Sequence, residues 1–184
     1  MGVMKEGNTL FLNVSCGFLV NKKKEISTRG YDDAFFMSIK KEEDVFEEKP
    51  MMKYKLHLKD ASSMEEVVIS FTAESWFAIG FFQRIEKIDV SKPFTVGVSK
   101  SDVNDKISFC WLRQSGQPVK KDETMPMPEK VKVGKIEVNN WEPFNEHAER
   151  VIAKLNSAAG MNSEVSAPTK DNFSEPQESD GLPF

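Results

Sequence analysis

The chain has 184 residues, 39% hydrophobic and 29% charged, which is typical of a soluble globular protein with one compact domain. No apolar run approaches the roughly 20 residues of a membrane span, and residues 1–6 lack a signal-peptide core, so we expect a cytoplasmic protein. Two cysteines, Cys16 and Cys110, are too few for a disulfide framework or a zinc cluster. We interpret both as small buried hydrophobic residues within strands.

The negative charge of the chain is concentrated in its last residues. The formal net charge is −4, and residues 157–184 hold five acidic residues and one basic residue. Residues 1–156 hold 24 acidic and 24 basic residues, so this body is neutral. A neutral body can still carry a basic groove if its charges are segregated, and the net charge therefore does not exclude a nucleic-acid partner.

The chain begins with one long predicted strand and a long connection. Residues 10–20 alternate with period two, and Gly17 within them marks a bulge or a sharp bend. Residues 21–50 are predicted to be a long loop insertion that could hold one short strand at 34–39. The acidic run at 42–48 lies in this stretch, and we interpret it as solvated surface.

A hairpin and a helix follow. Residues 52–59 alternate strictly and residues 66–72 form the next apolar strand, so the two predict a β-hairpin. From residue 76 to 88 the apolar positions recur at three and four residues, which predicts a helix capped by Ser75 that fills the core.

The second half returns to strands and ends in a helix and a tail. Strands are predicted at 94–99, 106–113 and 131–138. Residues 145–155 have the apolar spacing of a helix, with acidic residues early and a lysine late. From residue 157 the chain is rich in Ser, Ala, Asn and Pro, which predicts a disordered acidic tail.

This order suits an OB-fold, a five-stranded barrel with a helix between its third and fourth strands. The predicted fold class is therefore mainly β, with an OB-fold domain at 1–156, a C-terminal helix and a disordered tail at 157–184. The same order would also fit other α+β barrels and sheets.

The sequence from Glu178 to Phe184, Glu-Ser-Asp-Gly-Leu-Pro-Phe, resembles the C-terminal tip of single-stranded DNA-binding proteins from bacteria and phages. In that family, acidic residues precede an aliphatic residue, Pro and a terminal Phe, whereas here Ser179 and Gly181 interrupt the acids. The resemblance implies an OB-fold body that coats and protects single-stranded DNA in replication, recombination and repair. It also implies a tip that recruits partner enzymes through Asp180, Leu182, Pro183 and Phe184. Absence of a long Gly/Gln-rich linker favours a phage-type protein acting in the bacterial cytoplasm.

Candidate phosphate contacts come from two groups of lysines. Lys53, Lys55 and Lys59 lie on one face of the strand at 52–59, together with His57. The alternative is that these lysines keep an exposed strand edge soluble. Lys22, Lys23 and Lys24 would begin the loop that borders the OB ligand groove, or else form a solvated turn.

Candidate base-stacking residues are aromatic side chains expected on the outside. Phe11 lies opposite the more apolar face of the first strand, and Tyr31 lies in a partly basic region. On the strand at 106–113, Trp111 could stack on a base and Arg113 could meet a phosphate if Cys110 and Leu112 fill the barrel. The alternative places Phe109 and Trp111 in the core.

No catalytic constellation emerges, because neither His57 nor His147 has metal-ligand spacing and no phosphate-binding Gly-rich loop or nucleophile elbow is present. We therefore expect a non-enzymatic protein without cofactor or metal, and without a membrane partner. Single-stranded DNA binding is the leading hypothesis, and a homo-oligomer is compatible with it. The alternative is an OB-like protein-interaction adaptor of a replication complex that does not bind nucleic acid.

Overall fold

The computed structural model describes residues 9–165 and confirms a mainly β protein, in which a curled sheet packs against two helices. The sheet order is β3-β2-β1-β6-β5-β4-β7-β8-β9, and β10 and β11 form a separate hairpin. The strands are β1 Leu10–Ser15, β2 Phe18–Asn21, β3 Ile26–Thr28, β4 Gly30–Phe46, β5 Lys49–Asp60, β6 Glu66–Thr72, β7 Phe94–Lys100, β8 Ser108–Gln114, β9 Gln117–Pro118, β10 Glu129–Val133 and β11 Ile136–Asn140. The helices are α1 Trp76–Ile85 and α2 Glu142–Val165.

The prediction of a long loop at 21–50 is wrong, because this stretch holds β4, the longest strand. A bulge lies between Phe36 and Ser38 and shifts the register against β5. The buried positions are consequently Ala34, Phe36 and Ile39, a spacing of two and then three residues. A search for strict alternation therefore misses this strand. The main sheet thus has nine strands rather than the five expected.

The predicted single strand at 10–20 is a hairpin. Cys16 and Gly17 form its turn, with φ angles of +49° and +81°, and Asn13 lies opposite Val20. Two consecutive residues with positive φ are the pattern of tight hairpin turns whose twist matches the strands. Because it occupies the turn, Cys16 is exposed, and the expectation that it is buried is wrong. Cys110 is buried as expected.

The first helix lies where the sequence predicts it and fills the core. Ser75 caps it by accepting a hydrogen bond from the backbone N–H of Ala78 at 3.1 Å. Phe77, Phe81 and Phe82 are all buried. The helix packs against β8, where a Cβ on Gly80 would come within 3.1 Å of the Cys110 carbonyl oxygen.

The second helix is longer than predicted. Its residues Phe144, Ala148, Val151 and Leu155 are buried, and the Phe144 ring contacts Phe82 edge-on at a centroid distance of 5.8 Å. The helix continues to Val165, so the predicted disorder is wrong for residues 157–165. The disorder prediction rested on the Ser, Ala, Asn and Pro content of the whole tail, whereas the alanines at 158 and 159 favour a helix locally. Residues 166–184, including the predicted docking tip, lie outside the described residues.

The predicted strand at 131–138 is the β10–β11 hairpin, which turns at Gly134 with φ +66°. Within residues 9–165, neither helix is long and apolar enough to cross a membrane.

Candidate nucleic-acid interface

The side of the sheet that faces away from the core carries most of the predicted contact residues. On β5, Tyr54, Leu56 and Leu58 are buried, which turns Lys53 and Lys55 outward as the alternation predicted. On β1, Leu12 is buried, and Phe11 is consequently turned outward with 57% of its surface exposed.

The pairing of β1 with β6 brings these strands into one surface. The two strands are parallel, with Phe11 opposite Val68 and Asn13 opposite Ser70. Ser70 in turn lies opposite Lys55 on β5. The outer faces of β1, β6 and β5 thus form a continuous floor three strands wide.

A groove of about 780 Å³ runs over this floor beneath the turn between β2 and β3. Four lysines line it and no carboxylate does, whereas each of three other grooves has at least one acidic residue in its lining. Apart from the lysines, the floor offers an exposed aromatic ring and several small polar groups. The residues that form this basic groove are Phe11, Asn13, Ser15, Asn21, Lys22, Lys23, Lys24, Lys53, Ser70 and Thr72, with Thr9, Val14, Val20, Met51 and Phe71.

Asn21 holds the lysine-bearing turn above Phe11. Its side-chain amide donates to the Phe11 carbonyl oxygen at 2.7 Å, and its Oδ1 accepts from the Lys24 backbone N–H at 2.9 Å. Lys22, Lys23 and Lys24 are exposed, and none of them forms an ion pair with another residue in the range 9–165. Their charges therefore remain available to an anionic ligand in the groove.

The two β5 lysines nearest the groove are partly neutralised by β4. Lys53 Nζ lies 2.6 Å from Asp44 Oδ2, and Lys55 forms an ion pair with Glu42. The hydrogen bonds from the lysines lower the pKa of both carboxyl groups. Two acidic residues of the run at 42–48, Glu42 and Asp44, thus pair with the lysine face. The free positive charge is concentrated at the β2–β3 turn.

Helix α2 leaves the lysine face uncovered. Lys41, which lies opposite the buried Tyr54 in the β4–β5 register, forms an ion pair with Glu149 of α2 at 3.1 Å. The helix therefore packs on the Tyr54 side of the sheet, opposite to Lys53 and Lys55.

Five predicted contact residues lie outside the lining of the groove, namely Lys55, which pairs with Glu42, and four others. Lys59 is near the far end of β5, opposite Glu66. The Tyr31 hydroxyl donates to Asp60 at 2.6 Å, its ring packs on the core, and burial raises the pKa of its hydroxyl. Trp111 and Arg113 are turned outward on β8, since Cys110 and Leu112 fill the core.

Trp111 has a structural partner of its own. Its ring covers Gly97, where an added Cβ would come within 1.9 Å of the indole, and the Arg113 guanidinium lies 5.1 Å from the ring centre.

Sequence reasoning missed the polar floor of the groove, formed by Asn13, Ser70 and Thr72. Their outward alternation with buried neighbours was a usable signal, but nothing local to the sequence pairs β1 with β6. It also missed Trp76, which is 51% exposed although it begins an otherwise buried helix.

Comparisons with protein-family models, with curated proteins and with solved structures found no match to this chain.

Proposed function

We propose that this protein binds single-stranded DNA in the basic groove, without strong sequence preference. The observation that carries the proposal is a groove with four lysines, no carboxylate and an exposed phenylalanine on its floor. Single-stranded nucleic acid requires cations for its phosphates and flat side chains for its bases, and the groove offers both within one surface. Asn13, Ser70 and Thr72 add hydrogen-bonding groups between them.

The order of the elements in the middle of the chain supports this proposal. The strands β4, β5 and β6, the helix α1, and the strands β7 and β8 follow one another in the OB order, with the helix between the third and fourth strands. OB-folds bind oligonucleotides on the face of their second and third strands, which here are β5 and β6. The groove lies on this face, and β1 to β3 extend it on one side.

The resemblance of the last residues suggests the biological setting. The protein would coat single-stranded DNA during replication, recombination and repair, and residues 180–184 would recruit partner enzymes. The adaptor alternative predicts that the full-length protein binds no oligonucleotide.

The test is a titration of fluorescently labelled oligo-dT with the full-length protein at several salt concentrations. We expect binding that weakens as salt rises, with weaker binding to a duplex of equal length. Phe11→Ala should reduce affinity by about 1–3 kcal/mol, the usual contribution of one stacked base, without lowering the thermal midpoint. Equal affinity for duplex, or no salt-sensitive binding, would exclude the proposal.

A further inference from the structure

A second groove of about 360 Å³ continues the basic groove beyond the end of β1. The two grooves share Val14, Ser15, Phe71 and Thr72 in their linings, so they adjoin along these residues. The exposed Cys16 follows the shared Ser15 and lines the second groove. Along β1, the five residue steps from Phe11 to Cys16 span about 17 Å.

An exposed aromatic pair stands at the second groove. Trp76 lines the groove and is 51% exposed, and Phe109 beside it is 38% exposed, with their ring centres 6.3 Å apart. The next residues along the chain, Phe77 and Cys110, fill the core instead. Packing of the core therefore does not explain why the Trp76 and Phe109 rings are exposed. Two large exposed rings in contact form a platform that water solvates poorly.

We propose that the DNA strand held in the basic groove continues over Ser15 and Cys16 and stacks its bases on the Trp76–Phe109 pair. This inference rests on the proposed function. The continuous lining favours one strand that occupies both grooves. Unpaired bases of any sequence can stack on exposed aromatic rings.

The two grooves differ in charge, so their contributions to DNA affinity can be distinguished by varying the salt concentration. Lys106 and Glu74 are the charged residues in its lining, so it carries no net charge. DNA binding in the second groove depends on base stacking. Loss of this stacking should lower the affinity for DNA without changing how steeply the affinity falls with salt. Loss of the lysines at the β2–β3 turn should change the dependence on salt.

The first experiment uses the native thiol at the junction. Cys16 is exposed, whereas Cys110 is buried and burial raises the pKa of its thiol, so alkylation of the native protein by N-ethylmaleimide reports on Cys16. An oligo-dT of about 12 nucleotides, near the upper range for one OB-fold, should slow the alkylation several-fold. An oligo-dT of about 4 nucleotides, which fills the basic groove alone, should protect Cys16 less. Equal reaction rates with and without the long oligomer, at saturation, overturn the proposal.

The second experiment removes the platform. Trp76→Ala should weaken binding of the 12-mer by about 5- to 140-fold, the equivalent of one stacked base, and leave its salt dependence unchanged. Trp76→Phe should retain most of the affinity because a flat ring remains. Ile136→Ala, an exposed apolar position on the β10–β11 hairpin, is the matched control and should bind as the parent does.

The results separate the two proposals. If the lysine turn governs salt-dependent binding while Trp76→Ala binds normally, the second platform is excluded and the basic groove stands. If Trp76→Ala changes the molecular mass in solution instead of the affinity, the pair is a contact between copies of the chain and the inference is wrong. If oligo-dT does not bind at all, both proposals fail.

Discussion

The three lysines of the β2–β3 turn should set the salt dependence of DNA binding. Each phosphate neutralised on a single strand contributes about −0.7 to the slope of log affinity against log salt. Lys22, Lys23 and Lys24 are free to contact phosphates, and Lys53 can do so by exchanging its Asp44 partner for a phosphate. With all four in contact, the slope is about −2.8. Replacing the three turn lysines by alanine should leave about −0.7, the share of Lys53.

These slopes translate into measurable affinities. Between 50 mM and 200 mM salt, the parent protein should lose about 50-fold in affinity for oligo-dT, and the triple variant about 3-fold. The three side chains are exposed and unpaired within residues 9–165, so the thermal midpoint of the variant should match that of the parent. The assay is fluorescence anisotropy of a labelled oligo-dT at four or more salt concentrations.

A second triple variant distinguishes the effect of where the lysines lie from the effect of the total charge of the protein. Lys130, Lys132 and Lys135 belong to the β10–β11 hairpin and are also exposed. Replacing them by alanine changes the net charge by the same amount, but should leave the slope at the parent value. Equal slopes for the parent and the turn variant, or an equal reduction in both variants, would refute the placement of the DNA phosphates beside the turn.

Two further predictions concern the body that holds the groove. Gly97→Ala places a Cβ within 1.9 Å of the Trp111 ring, and the resulting overpacking should lower the free energy of unfolding in urea by about 1–3 kcal/mol. The backbone N–H of Ser63 and the Tyr31 hydroxyl donate to Asp60 and lower the pKa of its carboxyl group. This stabilisation is present above the unfolded pKa of about 3.9 and is lost as pH falls towards the lower folded value, so the thermal midpoint should fall less steeply below pH 4 in Tyr31→Phe than in the parent.

Specific results would contradict the predictions for Gly97→Ala and Tyr31→Phe. Gly160 of α2 has no heavy atom within 4 Å of an added Cβ, so Gly160→Ala should be neutral or slightly stabilising. If Gly97→Ala is as stable as Gly160→Ala, the close contact with the indole is wrong. Parallel curves of thermal midpoint against pH for the parent and Tyr31→Phe would show that the hydroxyl does not influence Asp60.

Local patterns were sufficient where an element is regular along its whole length. The strict alternation of β5 correctly placed its lysines on the outside, and the three- and four-residue spacing of α1 correctly predicted a buried helix. For β8 the sequence left two orientations open, and the structure has Cys110 and Leu112 inward with Trp111 outward. In each case the buried face repeats without interruption.

The remaining differences arise where backbone geometry interrupts the repeat. The bulge after Phe36 breaks the alternation of β4, and the turn at Cys16 and Gly17 folds one apparent strand into two. Each involves only one or two residues, which average composition does not reveal.

The groove itself could be predicted only in part. Phe11 and the turn lysines were identified from their types and positions, but their assembly with Ser70 depends on the parallel pairing of β1 with β6. Four intervening strands separate these two along the chain, and no local signal specifies such a pairing. The ion pairs that neutralise Lys53 and Lys55 depend in the same way on the unforeseen β4.

The most direct test of the proposed site is a lysine footprint of the full-length protein. Lysines would be acetylated in the presence and absence of saturating oligo-dT, and the extent of modification at each would be read by mass spectrometry. We predict strong protection of Lys22, Lys23 and Lys24, with no change at the hairpin residues Lys132 and Lys135. Protection of the hairpin lysines, with the turn lysines modified equally in both samples, would contradict the assignment of the groove as the DNA-binding site.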